Sequence, residues 1–221
     1  MNVIEALQER HCTRAYKPRA VDRDTILKVL EAANNSPSWA NTQPWEFYVA
    51  AGEPLARLRE RYLENFMKGA SPNPDIPIPQ SWPEEHKKRI FNLGAERFAA
   101  MGIERDNKEG RNEIYMNNFR FFDAPVVIFA CLDQSLSPWS LFDMGLVSQS
   151  LMLAAQHYGL NTVPAILFVG YPEIICQELQ IPAHLNIAIG IAIGYGDPDS
   201  IQNKYLTTRR PIAEFVKLVG I

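Results

Sequence analysis

Apolar residues recur every three to four positions at Ile4 and Leu7, and again at Ile26, Leu27, Leu30 and Ala33, which predicts two helices near the start of the chain. Asp22 offers an N-cap for the second, and Asn34 and Asn35 end it. Trp45 to Ala51 is short and aromatic and reads as a strand. Leu55, Leu58, Tyr62, Leu63, Phe66 and Met67 restore the helical period until Pro72, Pro74, Pro77, Pro79 and Pro83 exclude helix and central strand alike. A charged helix with Ile90, Leu93, Phe98 and Met101 on its apolar face follows, and a further helical stretch ends near Phe122. The second half alternates: strand Pro125 to Leu132, helix Leu141 to Tyr158, strand Val163 to Val169, short helix Pro172 to Leu179 and strand Ile187 to Tyr195. Such alternation means a sheet covered by helices on both faces, so residues 1–221 read as one domain whose elaboration lies at about 66–115.

Composition narrows the classes without choosing among them. The 221 residues are 47% hydrophobic and 21% charged, which excludes disorder as the main state. A net charge of −3 with no long basic run argues against nucleic acid as a partner. Cys12, Cys131 and Cys176 are too few and too far apart for a disulfide framework, which fits a reducing cytoplasm. The first eleven residues lack the apolar core of a secretory signal, and no apolar run approaches the roughly 20 residues of a membrane helix. Gly190, Gly194 and Gly196 do not fit the dinucleotide fingerprint, and His11, His86, His157 and His184 have no metal-ligand spacing, so no metal site is expected.

Three features remain. RHCTR sets Arg10 and Arg14 one helical turn apart, where two guanidinium groups repel unless an anion lies between them. TTRRP adds Arg209 and Arg210; each pair taken singly is also what a solvated surface carries. SPSWANTQPW crowds Ser36, Ser38, Asn41, Thr42 and Gln43 between prolines and two tryptophans. That suits either hydrogen bonding to a polar heterocycle or a turn whose tryptophans pack into the core.

RHCTRAY, SPSWANTQPWEF, NFRFFDAPVV and TTRRP stand in the order and spacing of the FMN-dependent nitroreductase family, and the chain resembles its nitrobenzoate reductase-like branch over nearly its whole length outside the proline-rich insert. The resemblance implies an α+β, three-layer fold with a central mixed sheet flanked by helices, in a homodimer that exchanges its C-terminal tail. It implies FMN contacts from Arg10, His11, Cys12 and Arg14 to the phosphate, ribityl and pyrimidine edge, Cys12 standing where the family usually has serine. Pro37, Ser38, Trp39 and Asn41 are implied to reach the flavin of the other subunit, Asn117 and Arg120 the flavin ring, and Arg209 and Arg210 the phosphate. Backbone N–H groups in the loop containing Pro164, Ile166 and Leu167 match those that meet flavin N5 and O4, where the family often has Glu-Gly.

The reaction implied is two-electron reduction of a nitroaromatic or quinone acceptor by NADH or NADPH in a ping-pong cycle, with the chemistry at flavin N5 and no catalytic side chain. The resemblance leaves two rivals: reductive dehalogenation on the same fold, and a flavin-binding module without turnover. The stretch from Ser71 to Lys88 is expected to act as a lid that selects the acceptor, with Lys87, Lys88 or Arg89 meeting an acidic substituent.

Overall fold

In the computed structural model, which describes residues 2–220, the two-residue period of one strand organises the protein. The strand β2 (Val126–Asp133) is apolar on both sides. Val127, Phe129 and Cys131 enter one core, and Val126, Ile128, Ala130 and Leu132 enter the other. Side chains alternate across a strand, so such a segment is stable only as an inner strand with a layer on each face. It lies between β1 (Glu46–Ala51) and β4 (Leu185–Gly194), with β3 (Asn161–Ala165) on the far edge, in the order β1-β2-β4-β3. Pro164 is tolerated because β3 is an edge strand.

Helices cover both faces, as the alternation requires. On the first face lie α3 (Gly52–Met67), α5 (Lys108–Phe119) and α7 (Pro172–Leu179), through Leu55, Leu58, Tyr62, Phe119, Ile174 and Ile175. On the second lie α2 (Arg23–Ala33) and α6 (Trp139–His157), through Ile26, Val29, Met144, Val147 and Leu151. A short α1 (Val3–Glu9) precedes them, α4 (Glu84–Ala100) fills the insert, and α8 (Ile201–Lys204) leads into the tail. The side chain of Asp22 caps α2 by accepting from Thr25 N–H at 2.8 Å. The architecture is α+β in three layers.

Three expectations are corrected. The strands pair antiparallel throughout, and the parallel component of the expected mixed sheet is confined to the isolated bridge between Cys12 and Thr162. The strand expected at Val163 to Val169 ends at Ala165 and becomes a 3-10 turn at Ile166–Val169. Gly190 of β4 makes this possible, because a Cβ there would sit 2.7 Å from Phe168 Cβ, so the turn packs directly on bare backbone. Arg10 and Arg14 do not share a helix, since α1 stops at Glu9 and the chain runs on extended. There, backbone partners on other strands replace helical ones: Thr13 N–H donates to Thr162 O at 3.0 Å and Lys17 N–H to Tyr195 O at 2.8 Å.

The proline-rich loop is not free along its whole length. Asn73 N–H donates to Gly170 O at 2.8 Å, and Ile187 N–H donates to Asp75 Oδ2 at 2.8 Å. Residues 73–75 are therefore stitched to the scaffold, which moves the unattached part of the expected lid to residues beyond Asp75.

Candidate functional site

The two ends of the chain meet. Asn203 joins them with both halves of its amide: Oδ1 accepts from Arg14 N–H at 2.8 Å, while Nδ2 donates to Ala15 O and Asp197 O, each at 2.8 Å. Tyr16 donates its hydroxyl to Thr13 O at 2.9 Å and pairs with Gly196, and burial pushes the phenol well above its ordinary value. Extended backbone puts Arg10 and Arg14 on one side and the buried Thr13 on the other. His11 is held by Glu9 O at 2.9 Å and lines a cavity of about 330 Å³ with Asn161, Asp197, Asn203 and Lys204.

Beyond α8 the tail runs along the insert. Tyr205 donates its hydroxyl to Glu96 Oε2 at 2.6 Å, and an open cavity of about 490 Å³ is lined by Arg89, Asn92 and Leu93 of α4 and by Thr207, Thr208, Arg209 and Arg210 of the tail. Arg209 bonds only neighbouring oxygens, Thr207 Oγ1 at 2.8 Å and Thr208 O at 3.0 Å, and Arg210 lies 4.5 Å over Phe215. Lys87 and Lys88 are instead exposed and paired with Glu84 at 3.6 Å and Glu85 at 2.8 Å, which spends their charge within the helix.

Asn117 and Arg120 lie at the end of α5, on a turn with an unusual backbone. Phe121, Phe122 and Asp123 all have positive φ (54°, 53° and 53°), a left-handed run that none of these side chains favours. Arg59 of α3 clasps both ends of it, donating through Nε to Arg120 O at 3.0 Å and through Nη2 to Ala124 O. Burial lowers the Arg59 pKa, and Asp123 opposes that shift. Arg120 itself binds Glu113 Oε1 at 2.6 Å, Asn117 Oδ1 and Asp123 Oδ2 at 3.4 Å, so its charge is balanced within the chain.

The loop after β3 places Pro164 in the edge strand, and Ile166 and Leu167 in the first positions of the 3-10 turn, where N–H groups have no preceding carbonyl of the turn to bond. Tyr62 anchors this turn by donating to Phe168 O at 2.8 Å and accepting from Tyr171 N–H at 3.3 Å.

Pro37, Ser38 and Trp39 line a separate pocket, and Asn41 lies on the same loop. Trp45 is buried, with Nε1 on Asn34 Oδ1 at 3.0 Å, but Trp39 is 69% exposed, so only one of the two tryptophans is core. Positive φ at Ala40, Asn41 and Gln43 shapes the loop, Ser38 Oγ accepts from Gln43 N–H at 2.9 Å, and buried Asp143 of α6 accepts from Trp39 N–H at 3.3 Å with both oxygens. Trp39, Trp139 and Phe142 line an apolar cavity of about 500 Å³ that shares no lining residue with the His11 cavity or with the cavity between α4 and the tail.

Among the described residues, Arg10, Arg14, Arg209 and Arg210 form no ion pair, and neither does Arg97 of α4. Arg97 Nε and Nη2 are buried with no partner, and burial first, then Arg14, lowers its pKa to about 10. Five guanidinium groups without a carboxylate, one of them orphaned in the interior, suit a dianionic phosphate ester with further acceptor atoms; FMN fits that donor set. No described group of histidine, cysteine and carboxylates is arranged to hold a metal ion, and no described helix is long and apolar enough to cross a membrane.

Arg59, Arg97 and Asp143 were not foreseen from the sequence. Each sits on the apolar stripe of its own helix, at one turn from Leu55 and Tyr62, from Leu93 and Met101, and from Val147 respectively. A lone charge in such a stripe is the signal that was available.

The family described as "Nitroreductase family" matches residues 7–195. A 4-nitrobenzoate reductase of Pseudomonas putida is 29% identical over 96% of this chain and 92% of its own length. A second, of Nocardioides sp. (strain LMS-CY), is 30% identical over 94% of this chain and 85% of its own. The crystal structure of an FMN and NADPH-dependent nitroreductase, NfnB, from sphigopyxis sp. strain HMH superposes with a TM-score of 0.95 at 29% identity, covering 100% of both chains.

Proposed function

The chain belongs to the nitroreductase family, and from that footing we propose that it is an FMN-dependent oxidoreductase that uses NAD(P)H to reduce nitroaromatic acceptors by two electrons in alternating half-reactions. The observation that carries the reading is the lack of a carboxylate partner for Arg10 and Arg14 at one chain end, for Arg209 and Arg210 at the other, and for buried Arg97 of the insert. FMN, when bound, accepts a hydride from the nicotinamide and passes two electrons to the acceptor. Arg10, Arg209 and Arg210 hold its phosphate, His11 and the Cys12 backbone its ribityl chain, and Arg14 its pyrimidine edge. Asn117 faces the ring and is positioned by Arg120, while the N–H groups of Ile166 and Leu167 face N5 and O4. None of these side chains has to move a proton in the chemical step; their work is to bind, orient and balance charge.

Pro37, Ser38, Trp39 and Asn41 complete the site of a second copy. Their pocket is lined by no arginine, and Trp39, Trp139 and Phe142 together with Ile212, Phe215, Leu218 and Val219 of the tail expose more apolar side chains than a monomer keeps in water. We propose a homodimer in which the tail wraps the partner. The part of the insert beyond Asp75, which carries a cavity of its own lined in part by Ile90, Phe91 and Phe98, then covers the open flavin face.

The test is anaerobic. Purified protein should carry about one FMN per subunit, NADH or NADPH should bleach it, and 4-nitrobenzoate should restore the colour, passing with excess nucleotide through the nitroso compound to the hydroxylamine over two successive two-electron cycles. Bound flavin that neither nucleotide bleaches would favour a binding module. Turnover of a halogenated phenol with release of halide, and none of nitroarenes, would favour dehalogenation.

A further inference from the structure

We propose that Arg97, carried by α4 of the insert, is a second cation for the O2–N1 edge of the flavin beside Arg14, so that the insert belongs to the cofactor site as well as covering it; this rests on the FMN reading above. Arg97 points inward from an apolar stripe between Leu93 and Met101, and Nε and Nη2 are covered by protein without any acceptor. The neighbouring carboxylate on the same helix, Glu96, is engaged by the Tyr205 hydroxyl at 2.6 Å and does not serve as its partner. Burial first, and then the nearby charge of Arg14, brings the Arg97 pKa down to about 10, with Cys12 acting in the opposite direction. A desolvated, unpaired guanidinium beside a second one is costly, and a fold retains it where a ligand brings the missing oxygens. Arg14 is fixed from behind, its N–H on Asn203 Oδ1 at 2.8 Å and Nη1 reaching Cys12 O at 3.4 Å, which leaves the rest of its fork for that ligand. A flavin offers two adjacent acceptors, N1 and O2, which carry the negative charge of the reduced state. Two guanidinium groups aimed at that edge bind the reduced form more tightly than the oxidised one.

The holoenzyme variants Arg97→Met and Arg97→Lys test this, with the two-electron midpoint potential read at saturating FMN. Met should bind reduced relative to oxidised flavin about tenfold less well, a shift of about 30 mV to more negative potential, while Lys keeps most of the wild-type value. Thermal melting supplies a second reading: flavin-free Arg97→Met should melt no lower than wild type, because an unpaired buried charge has gone, and its stabilisation by FMN and by riboflavin should shrink alike. An unmoved potential, or equal shifts in Met and Lys, would overturn the proposal. So would a loss confined to FMN with riboflavin unaffected, which would place Arg97 on the phosphate. Wild-type protein that binds no FMN would instead overturn the functional reading.

Discussion

Replacing Arg59 by Met asks how much of the site depends on one guanidinium that touches no ligand. The turn it clasps holds three consecutive side-chain-bearing residues in the left-handed region, Phe121, Phe122 and Asp123. At about 1–2 kcal/mol each, such a run stores roughly 3–6 kcal/mol of strain. Arg59 opposes that strain with hydrogen bonds to Arg120 O and Ala124 O, the carbonyls at the two ends of the turn. A bond from a charged donor is worth about 1.5–3 kcal/mol net, and the flexible thioether keeps most of the packing of the stem. The contact with Asp123 Oδ1, at 4.0 Å and largely exposed on the carboxylate side, adds little. Two such bonds make about 3–6 kcal/mol, and because burial disfavours the Arg59 charge that Met removes, the expected loss is about 2–4 kcal/mol. In urea, at matched protomer concentration and a slope of about 2 kcal/mol/M, the midpoint should fall by about 1–2 M with the slope unchanged. Arg59→Lys should recover only part, because one ammonium cannot span both carbonyls as a fork does. A Met variant within about 0.5 kcal/mol of wild type, or a Lys variant equal to wild type, would refute the clasp.

Other perturbations separate cofactor contacts from scaffold. Asp143→Ala, which leaves Trp39 N–H without its acceptor, should weaken FMN binding about tenfold in a fluorescence titration with a small effect on the melting temperature; unchanged affinity would detach the Ser38–Asn41 loop from the cofactor. Arg10→Ala and Arg209→Ala should each weaken FMN about tenfold to a hundredfold and leave riboflavin nearly unaffected, so equal losses for both flavins would move these residues off the phosphate. Tyr62→Phe, which strands Phe168 O and Tyr171 N–H in the core, should cost about 1–3 kcal/mol in urea unfolding; no loss would mean that the 166–169 turn is held by packing alone. Burial pushes the Cys131 thiol up to about 12, so at pH 8 only about one molecule in ten thousand is thiolate, and alkylation followed by mass spectrometry should mark Cys131 only once the protein unfolds.

What could be read from the chain follows from how periodicity carries information. The helix at Pro172–Leu179 was expected with the observed bounds, and Asp22 stands where a cap was expected, because a proline start and a carboxylate before an amphipathic run act locally. The run from Val163 to Val169 misled because an unbroken apolar stretch has no period; what turns it at Ile166 is Phe168 settling on Gly190, more than twenty residues away. RHCTR misled for the opposite reason: its spacing suits a helix, but the partners that hold it extended are on Thr162, Tyr195 and Gly196. The arginine pairs were legible as residues, whereas their lack of counterions is a property of three dimensions. Arg120 shows the converse, a residue matched to a ring contact that is already balanced by Glu113 and Asp123.

The seam that Asn203 makes between the chain ends also sets an order of events during synthesis. Arg14 leaves the ribosome early, and the residue that fixes it follows about 190 residues later, which at roughly 5–20 residues per second is on the order of 10–40 s. Until then the nascent chain carries Arg10 and Arg14 as loose cations and has no tail to pair with the insert. On the proposed reading, cofactor capture is a late step that waits for residues 203–210, and a chain cut before Asn203, though it holds every residue of both cores, would lack the groups that reading gives to the flavin phosphate.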